Sequence, residues 1–167
     1  MTVFKKTASA VLLALALAGC KMIGTPDPDL SARDKEYFAL APKADIDPQF
    51  GRYQIDDPTG EAPGTNVIDT KYNLLYLVEP NRKAIRYGVA TGSEAHGWKG
   101  VAFVQRKSEW PRWMPTEKIM TRWPEFGVYR RHGPLDGGPD NPLGARALYL
   151  HDDKGKDTLY RIHGTNE

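Results

Sequence analysis

From residue 66 onward, short apolar runs alternate with turn-forming Gly, Pro, Asn and Asp, and this pattern restricts the fold more than any other feature. Residues 74–78 are continuously apolar and β-prone, and residues 83–90 alternate between apolar and polar positions. The intervening Glu79-Pro80-Asn81-Arg82 predicts a turn, so the two runs are expected to form a hairpin. Many short strands joined by such turns predict a mostly β fold, either a sandwich or a barrel.

Three further segments have the same strand-like character: 101–105, 145–151 and 157–163. A turn is predicted at 152–156, between the last two of them. One short helix is expected at 116–123, where Thr116 can cap the first turn and Pro124 ends the helix.

The last predicted strand carries a charged face. Strict alternation would place Leu159, Arg161 and His163 on one side and Thr158, Tyr160 and Ile162 on the other. A charged face that ends in a histidine at the strand tip is suited to the wall of a cleft.

The first residues look like an export signal. Lys5 and Lys6 precede the apolar run 11–18, which is too short to span a membrane. Residues 17–20, Leu-Ala-Gly-Cys, resemble a bacterial lipobox, in which Cys20 is lipidated and becomes the mature N-terminus. Residues 1–19 are therefore predicted to be a lipoprotein signal peptide, and a plain signal peptide with an incidental cysteine is the alternative.

A lipidated Cys20 predicts a periplasmic protein anchored in the cell envelope. Lys21 rather than Asp follows the cysteine, which favours the outer membrane over the inner one. Residues 20–65 are rich in proline and are predicted to be a tether, with one short helix at 31–40 capped by Ser31 and Asp34.

Composition excludes several classes of protein. The sequence has 23 Lys and Arg residues and 21 Asp and Glu residues. Because Lys5 and Lys6 lie in the predicted signal peptide, the mature chain is close to neutral. Nucleic-acid binding would usually need a basic excess. A single cysteine excludes an internal disulfide. His96, His132 and His151 lack the clustered spacing of metal ligands, so no metal site is predicted.

Four stretches resemble, in order, the catalytic domain of the L,D-transpeptidases, the YkuD or ErfK family. They are YGVATG at 87–92, WPRWMP at 110–115, PDNPLGARALYL at 139–150 and YRIHGTNE at 160–167. The resemblance covers residues 66–167, which would form the catalytic domain. It implies a β-sandwich with a short helix, incomplete at its C-terminal end.

The resemblance also implies chemistry on peptidoglycan stem peptides without a cofactor. A cysteine thiolate attacks the carbonyl between diaminopimelate and the terminal D-alanine, and an amine then takes the acyl group. His163 matches the family's proton donor and acceptor. The family's Ser-x-Gly-Cys motif follows that histidine by roughly fifteen residues and is not among these 167 residues, so this chain is expected to be an inactive piece of a longer enzyme.

Four further residues are candidates for binding the substrate. Trp110 and Trp113 could line the groove or pack in the core, while Asn141 and Arg146 could orient the stem peptide or hold their own loop. Two other functions stay open. The protein could be a non-catalytic peptidoglycan-binding lipoprotein of the envelope, or a β-rich lipoprotein that tethers envelope layers.

Overall fold

The computed structural model describes residues 21–22, 31–40, 45–92 and 98–166. Across these residues the protein is mostly β, with two antiparallel sheets and a few short helices. This confirms the fold class predicted from the sequence. Cys20, His96 and the predicted signal peptide lie outside the described residues.

The larger sheet has five strands in the order β1-β2-β5-β4-β3. Its strands are β1 (Lys21–Met22), β2 (Tyr53–Asp56), β3 (Asn66–Asp69), β4 (Leu74–Glu79) and β5 (Lys83–Gly88). The predicted hairpin is β4 and β5, with Glu79 opposite Lys83. Asn81 and Arg82 both have positive φ, the backbone form that closes such a turn. Leu75, Val78, Ala84 and Ile85 are the buried apolar residues of this sheet.

The smaller sheet has three strands in the order β6-β7-β8, and it carries the candidate active site. They are β6 (Phe103–Glu109), β7 (Arg146–His151) and β8 (Asp157–His163). The central strand supplies the buried residues Ala147, Tyr149 and Leu150. The turn predicted at 152–156 is held by Asp152, whose carboxylate accepts hydrogen bonds from the backbone N–H groups of Lys154 and Lys156.

Strand β6 extends further than the sequence predicted, to Glu109 instead of residue 105. Its second half is polar and almost wholly exposed, so it has no apolar alternation to detect. The pairing with β7 holds it in the sheet in spite of this, since Glu109 still lies opposite Arg146.

The described residues also form three short α-helices, α1 (Ala32–Leu40), α2 (Glu117–Arg122) and α3 (Tyr129–His132), and two 3-10 helices, Pro48–Phe50 and Pro124–Val128. The Thr116 side chain accepts a hydrogen bond from the N–H of Ile119, so the predicted cap of α2 is confirmed. The Ser31 hydroxyl accepts from the N–H of Asp34 and the Asp34 carboxylate accepts from the N–H of Ser31. This reciprocal pair is a capping box, as expected from the sequence.

Part of the segment predicted as a tether is packed structure. Strand β2 pairs with β5 in the larger sheet, and β1 pairs with β2. Helix α1 lies against the end of the smaller sheet, as described below. The division of the chain at residue 65 stays a prediction.

Candidate active site

His163 is the last residue of β8 and its side chain is exposed. Its backbone lies opposite Ala147 of β7. The ring Nδ1 lies 2.6 Å from the carbonyl oxygen of Gly164. Because a carbonyl oxygen only accepts, Nδ1 carries the proton, and the neutral ring then presents an unprotonated Nε2 that can act as a base.

The chain that follows His163 runs along the loop between α3 and β7. The N–H of Gly164 donates to the carbonyl of Arg146 at 3.1 Å. The side-chain amide of Asn166 donates to the carbonyl of Asp140 at 3.4 Å. This loop therefore fixes the direction in which the chain leaves the candidate base.

Asn141 holds this loop in place and is almost wholly buried, with 1% of its surface exposed. Its amide nitrogen donates to the carbonyl oxygens of Pro111 and Asp136, at 2.9 and 3.1 Å. Its amide oxygen accepts from the N–H of Leu143 at 2.9 Å. All these bonds are internal, which supports the loop-holding alternative, and a role in binding the stem peptide stays a prediction.

Gly144 is where this loop touches the chain after His163. It has φ +62°, and a Cβ placed on it would lie 2.6 Å from the backbone nitrogen of Thr165. Gly144→Ala is therefore expected to lower the free energy of unfolding by about 2–4 kcal/mol, through the left-handed backbone and the contact together. Chemical denaturation of the purified protein measures this.

Gly155→Ala is the matched control for that variant. Gly155 has φ +76°, but among the described residues no atom beyond its two chain neighbours would lie within 4 Å of a Cβ added there, so only the backbone cost of about 1 kcal/mol applies. An equal decrease in the free energy of unfolding for Gly144→Ala and Gly155→Ala would show that the loop at Gly144 is not in close contact with the chain after His163.

Arg146 is bound by a residue that lies 112 positions earlier. Its two terminal nitrogens donate to the two carboxylate oxygens of Asp34 in α1, at 3.0 and 2.8 Å. Asp34 has 1% of its surface exposed, and Glu109 is a second, weaker partner of Arg146 at 3.5 Å. The Arg146 guanidinium holds the pKa of the Asp34 carboxyl well below its ordinary value, against the opposing effect of burial.

This ion pair lies on the face of the sheet opposite to His163. Neighbouring residues of a strand point to opposite faces, and His163 lies opposite Ala147, the residue after Arg146. Arg146 therefore acts on the site through its backbone and through the packing of α1. Its predicted contact with the stem peptide stays a prediction.

Trp110 packs against the same helix and is 6% exposed. Its indole N–H donates to Asp34 at 2.7 Å, and its ring contacts those of Tyr37 and Phe38. The backbone of Trp110 also approaches Gly137 so closely that a Cβ there would lie 1.9 Å from the Trp110 carbonyl oxygen. These contacts support packing for Trp110, the alternative to a place in the groove.

Trp113 lies in a different aromatic cluster. Its ring meets those of Phe126 and Tyr129 edge-on, with centroids 5.4 and 5.5 Å apart. Its backbone forms a pair of hydrogen bonds with Leu135. The side chain is half-buried, and its predicted role in substrate binding stays a prediction.

The sequence predicted only a local role for Asp34, in the cap of its own helix. The structure adds the carboxylate's contacts with Arg146 and Trp110, which are 112 and 76 residues away. No spacing rule connects residues so far apart. Glu36 lies two positions later and next to the aromatic residues, so the sequence gave no signal that singled out Asp34 for these contacts.

Two further properties concern the described residues alone. Within ranges 21–22, 31–40, 45–92 and 98–166, no three His, Cys, Asp or Glu side chains come together as metal ligands would. Over the same ranges, each helix falls short of the length and apolar character that crossing a membrane requires.

Comparison with known proteins points to one family. Residues 63–167 match the sequence model of the YkuD family, the L,D-transpeptidase catalytic domain. The chain is 27% identical over 194 aligned residues to the "Probable L,D-transpeptidase YbiS" of Escherichia coli K12, covering 98% of this chain and 59% of that protein. It is 30% identical over 105 residues to the "Probable L,D-transpeptidase ErfK/SrfK" of the same strain, covering 60% and 31%. The chain thus spans less than two thirds of the length of either relative.

A solved structure from Brucella melitensis has a similar fold. It is described as a "Probable carnitine operon oxidoreductase caia", and it is 47% identical to this chain with a TM-score of 0.62. The match covers 72% of this chain and 73% of that one. The name of that protein states a different class of activity from the names of the two curated relatives.

Proposed function

Since this chain belongs to the L,D-transpeptidase catalytic domain family, we propose that the protein is a peptidoglycan L,D-transpeptidase in which His163 moves the proton. The observation that carries the proposal is the geometry of His163. It lies exposed at a strand end within the matched residues, and its Nδ1 is committed to the Gly164 carbonyl. Its Nε2 is therefore directed away from the backbone and available to a thiol.

The proposed reaction is an acyl transfer in two steps. His163 Nε2 takes the proton of a cysteine thiol, and the thiolate sulfur attacks the carbonyl between diaminopimelate and D-alanine. The C–N bond breaks, His163 returns the proton to the departing amine, and a thioester forms. The amine of a second stem peptide, or of a protein, then attacks the thioester, forms an amide and regenerates the thiol.

We place the nucleophile outside these 167 residues. The 167 residues contain one cysteine, Cys20, which is the predicted site of lipidation directly after the signal peptide. A thiol enzyme whose Cys20 carries a lipid needs another cysteine as its nucleophile. The two named relatives extend beyond the region that matches this chain. The 167 residues alone are accordingly expected to carry out no transpeptidation.

The test of this function uses the full-length protein and two acceptors. The protein is incubated with a tetrapeptide donor and with one of two acceptors, a second stem peptide or a peptide that presents a lysine amine. The masses of the products are determined by mass spectrometry. Release of D-alanine with formation of 3→3 cross-linked dimers indicates cross-linking, and transfer to the lysine amine indicates attachment of a protein. Stem-peptide binding without release of D-alanine would favour the non-catalytic lipoprotein instead.

We also propose that Cys20 carries the lipid that anchors the protein in the envelope, with the outer membrane as its location. The support is the Leu-Ala-Gly-Cys sequence and the lysine that follows it. Wild-type protein is expected to incorporate a labelled fatty acid and Cys20→Ser is expected to incorporate none, because the acyl chains that anchor the protein are attached at that cysteine. Absence of label from the wild type, or equal labelling of the variant, would contradict the lipid anchor.

A further inference from the structure

Within the described residues, an arginine on the same face of the sheet as His163 has no acidic partner. The Arg106 guanidinium of β6 lies over the ring of Tyr149 in β7, 3.3 Å from its centroid. Arg161 of β8 lies against the same ring at 4.3 Å. Tyr149 is 8% exposed, and both guanidinium groups lie against its ring.

The two arginines differ in how their charge is balanced. Arg161 donates to both carboxylate oxygens of Asp157 at 2.7 Å, and to the carbonyl of Tyr160. Arg106 is exposed, and its contact with Tyr149 is the interaction that the structure shows for it within the described residues. A guanidinium that stacks on a ring keeps its N–H edge free to bind a carboxylate in a bidentate manner.

An irregularity in the strand places Arg106 on this face. Val104 lies opposite Leu150 and Arg106 lies opposite Tyr149, so Gln105 is an extra residue in β6. Without this bulge, Gln105 instead of Arg106 would share a face with Tyr149. Bulges of this kind commonly redirect a side chain beside a functional site.

The register also gives the distance from Arg106 to His163. Ser108, Ala147 and His163 form one row across the sheet, and Arg106, Tyr149 and Arg161 form the next row on the same face. Two strand spacings and a step of two residues separate the Cα atoms of Arg106 and His163 by about 12 Å. Because the Arg106 side chain extends over Tyr149 of the middle strand, its guanidinium lies closer to His163 than its Cα does, within the span of a tetrapeptide.

On the basis of the proposed function, we propose that Arg106 determines substrate specificity by binding a carboxylate of the donor stem peptide that lies away from the carbonyl reacting beside His163. Tyr149 holds the guanidinium flat, and the ion pair of Arg161 with Asp157 leaves Arg106 as the cation that faces the substrate. The binding partner is an acidic peptide.

The experiment measures kcat and KM of the full-length protein with the stem tetrapeptide, and with the same peptide after its carboxylates are converted to amides. Arg106→Gln is expected to raise KM for the acidic donor at least about tenfold with little change in kcat, because binding of a remote group is lost. The KM of Arg106→Lys is expected to lie between those of the wild type and Arg106→Gln, since lysine keeps the positive charge but cannot bind a carboxylate through two parallel N–H groups. With the amidated donor, the wild type and both variants are expected to be alike.

Lys107→Gln is the matched control. Lys107 is also exposed and cationic, but it lies opposite Leu148 and so on the other face of the sheet. If Arg106→Gln and Lys107→Gln have the same KM, the inference about Arg106 is wrong while the transpeptidase function stands. If the wild type itself neither binds nor turns over the tetrapeptide, the proposed function fails and this inference fails with it.

Discussion

Replacing Asp34 with alanine is expected to lower the melting temperature by about 5–10 °C. The change leaves the buried indole N–H of Trp110 without an acceptor and removes both hydrogen bonds from Arg146. It also removes the carboxylate from the capping box of α1. Because the Arg146 side chain is 45% exposed, water can solvate its charge, which keeps the loss below that of a fully buried ion pair.

The matched control is Asp56→Ala, which removes an ion pair with Lys83 in which both side chains are largely exposed. Surface pairs of this kind contribute little to stability, so this variant is expected to melt within about 2 °C of the wild type. Thermal unfolding followed by circular dichroism compares the two. Equal melting temperatures for both variants would show that α1 does not hold the end of the smaller sheet.

The same carboxylate makes part of the stability depend on pH. Folding lowers the pKa of Asp34, so its contribution to stability is complete above the ordinary pKa of 3.8 and is lost as the pH falls through the lowered pKa. The difference in melting temperature between the wild type and Asp34→Asn is therefore expected to be largest near pH 7 and to shrink below about pH 4. Other carboxyls with a lowered pKa are common to both proteins and cancel in this difference: Asp47, Asp56, Asp57, Glu117 and Asp157.

Replacing His163 with alanine in the full-length protein is expected to reduce kcat/KM for transpeptidation by at least about 10³-fold. The variant loses both the base that generates the thiolate and the acid that protonates the departing D-alanine. Its fold should persist, because the His163 side chain is exposed and its hydrogen bond is to the adjacent Gly164. Release of D-alanine from a tetrapeptide measures the rate.

His132→Ala is the control for this variant. His132 is an exposed residue at the end of α3 and has no place in the proposed chemistry. Its activity is expected to equal that of the wild type. An active His163→Ala protein would assign the proton transfer to another residue.

Local sequence signals predicted the elements that local interactions form. The hairpin of β4 and β5 followed from alternation and a Pro-Asn turn. The two helix caps at Ser31 and Thr116 followed from hydroxyl groups placed just before a helical run. In each of these cases the partners lie within a few residues of each other along the chain.

Contacts between distant parts of the chain were not predictable in this way. The positive φ of Leu159 interrupts a strand whose sequence suggested plain alternation, and the bulge at Gln105 lies in a strand whose polar sequence gives no sign of it. The pairing of Asp34 with Arg146 joins the segment expected to be a tether to the first residue of β7, at the end of the smaller sheet. These features depend on how the strands and α1 pack together. The spacing of residue types along one sequence does not indicate that packing.

The same limit explains the placement of Trp110. Its flanking proline suggested a loop over the groove as readily as the core. The structure turns its ring toward α1, with φ +41° at its own backbone. The orientation of a tryptophan side chain depends on the groups that its ring and its N–H contact. For Trp110 the acceptor of the N–H is Asp34, which lies 76 residues earlier in the chain.

The most direct test of the transpeptidase function is the intact mass of the purified full-length protein after incubation with the stem tetrapeptide. We predict release of D-alanine and a thioester adduct on a cysteine that is not among residues 1–167, and no adduct with His163→Ala. A protein that contains no cysteine other than Cys20, or that gives no adduct while binding the tetrapeptide, would contradict the transpeptidase function and leave a peptidoglycan-binding protein of the envelope.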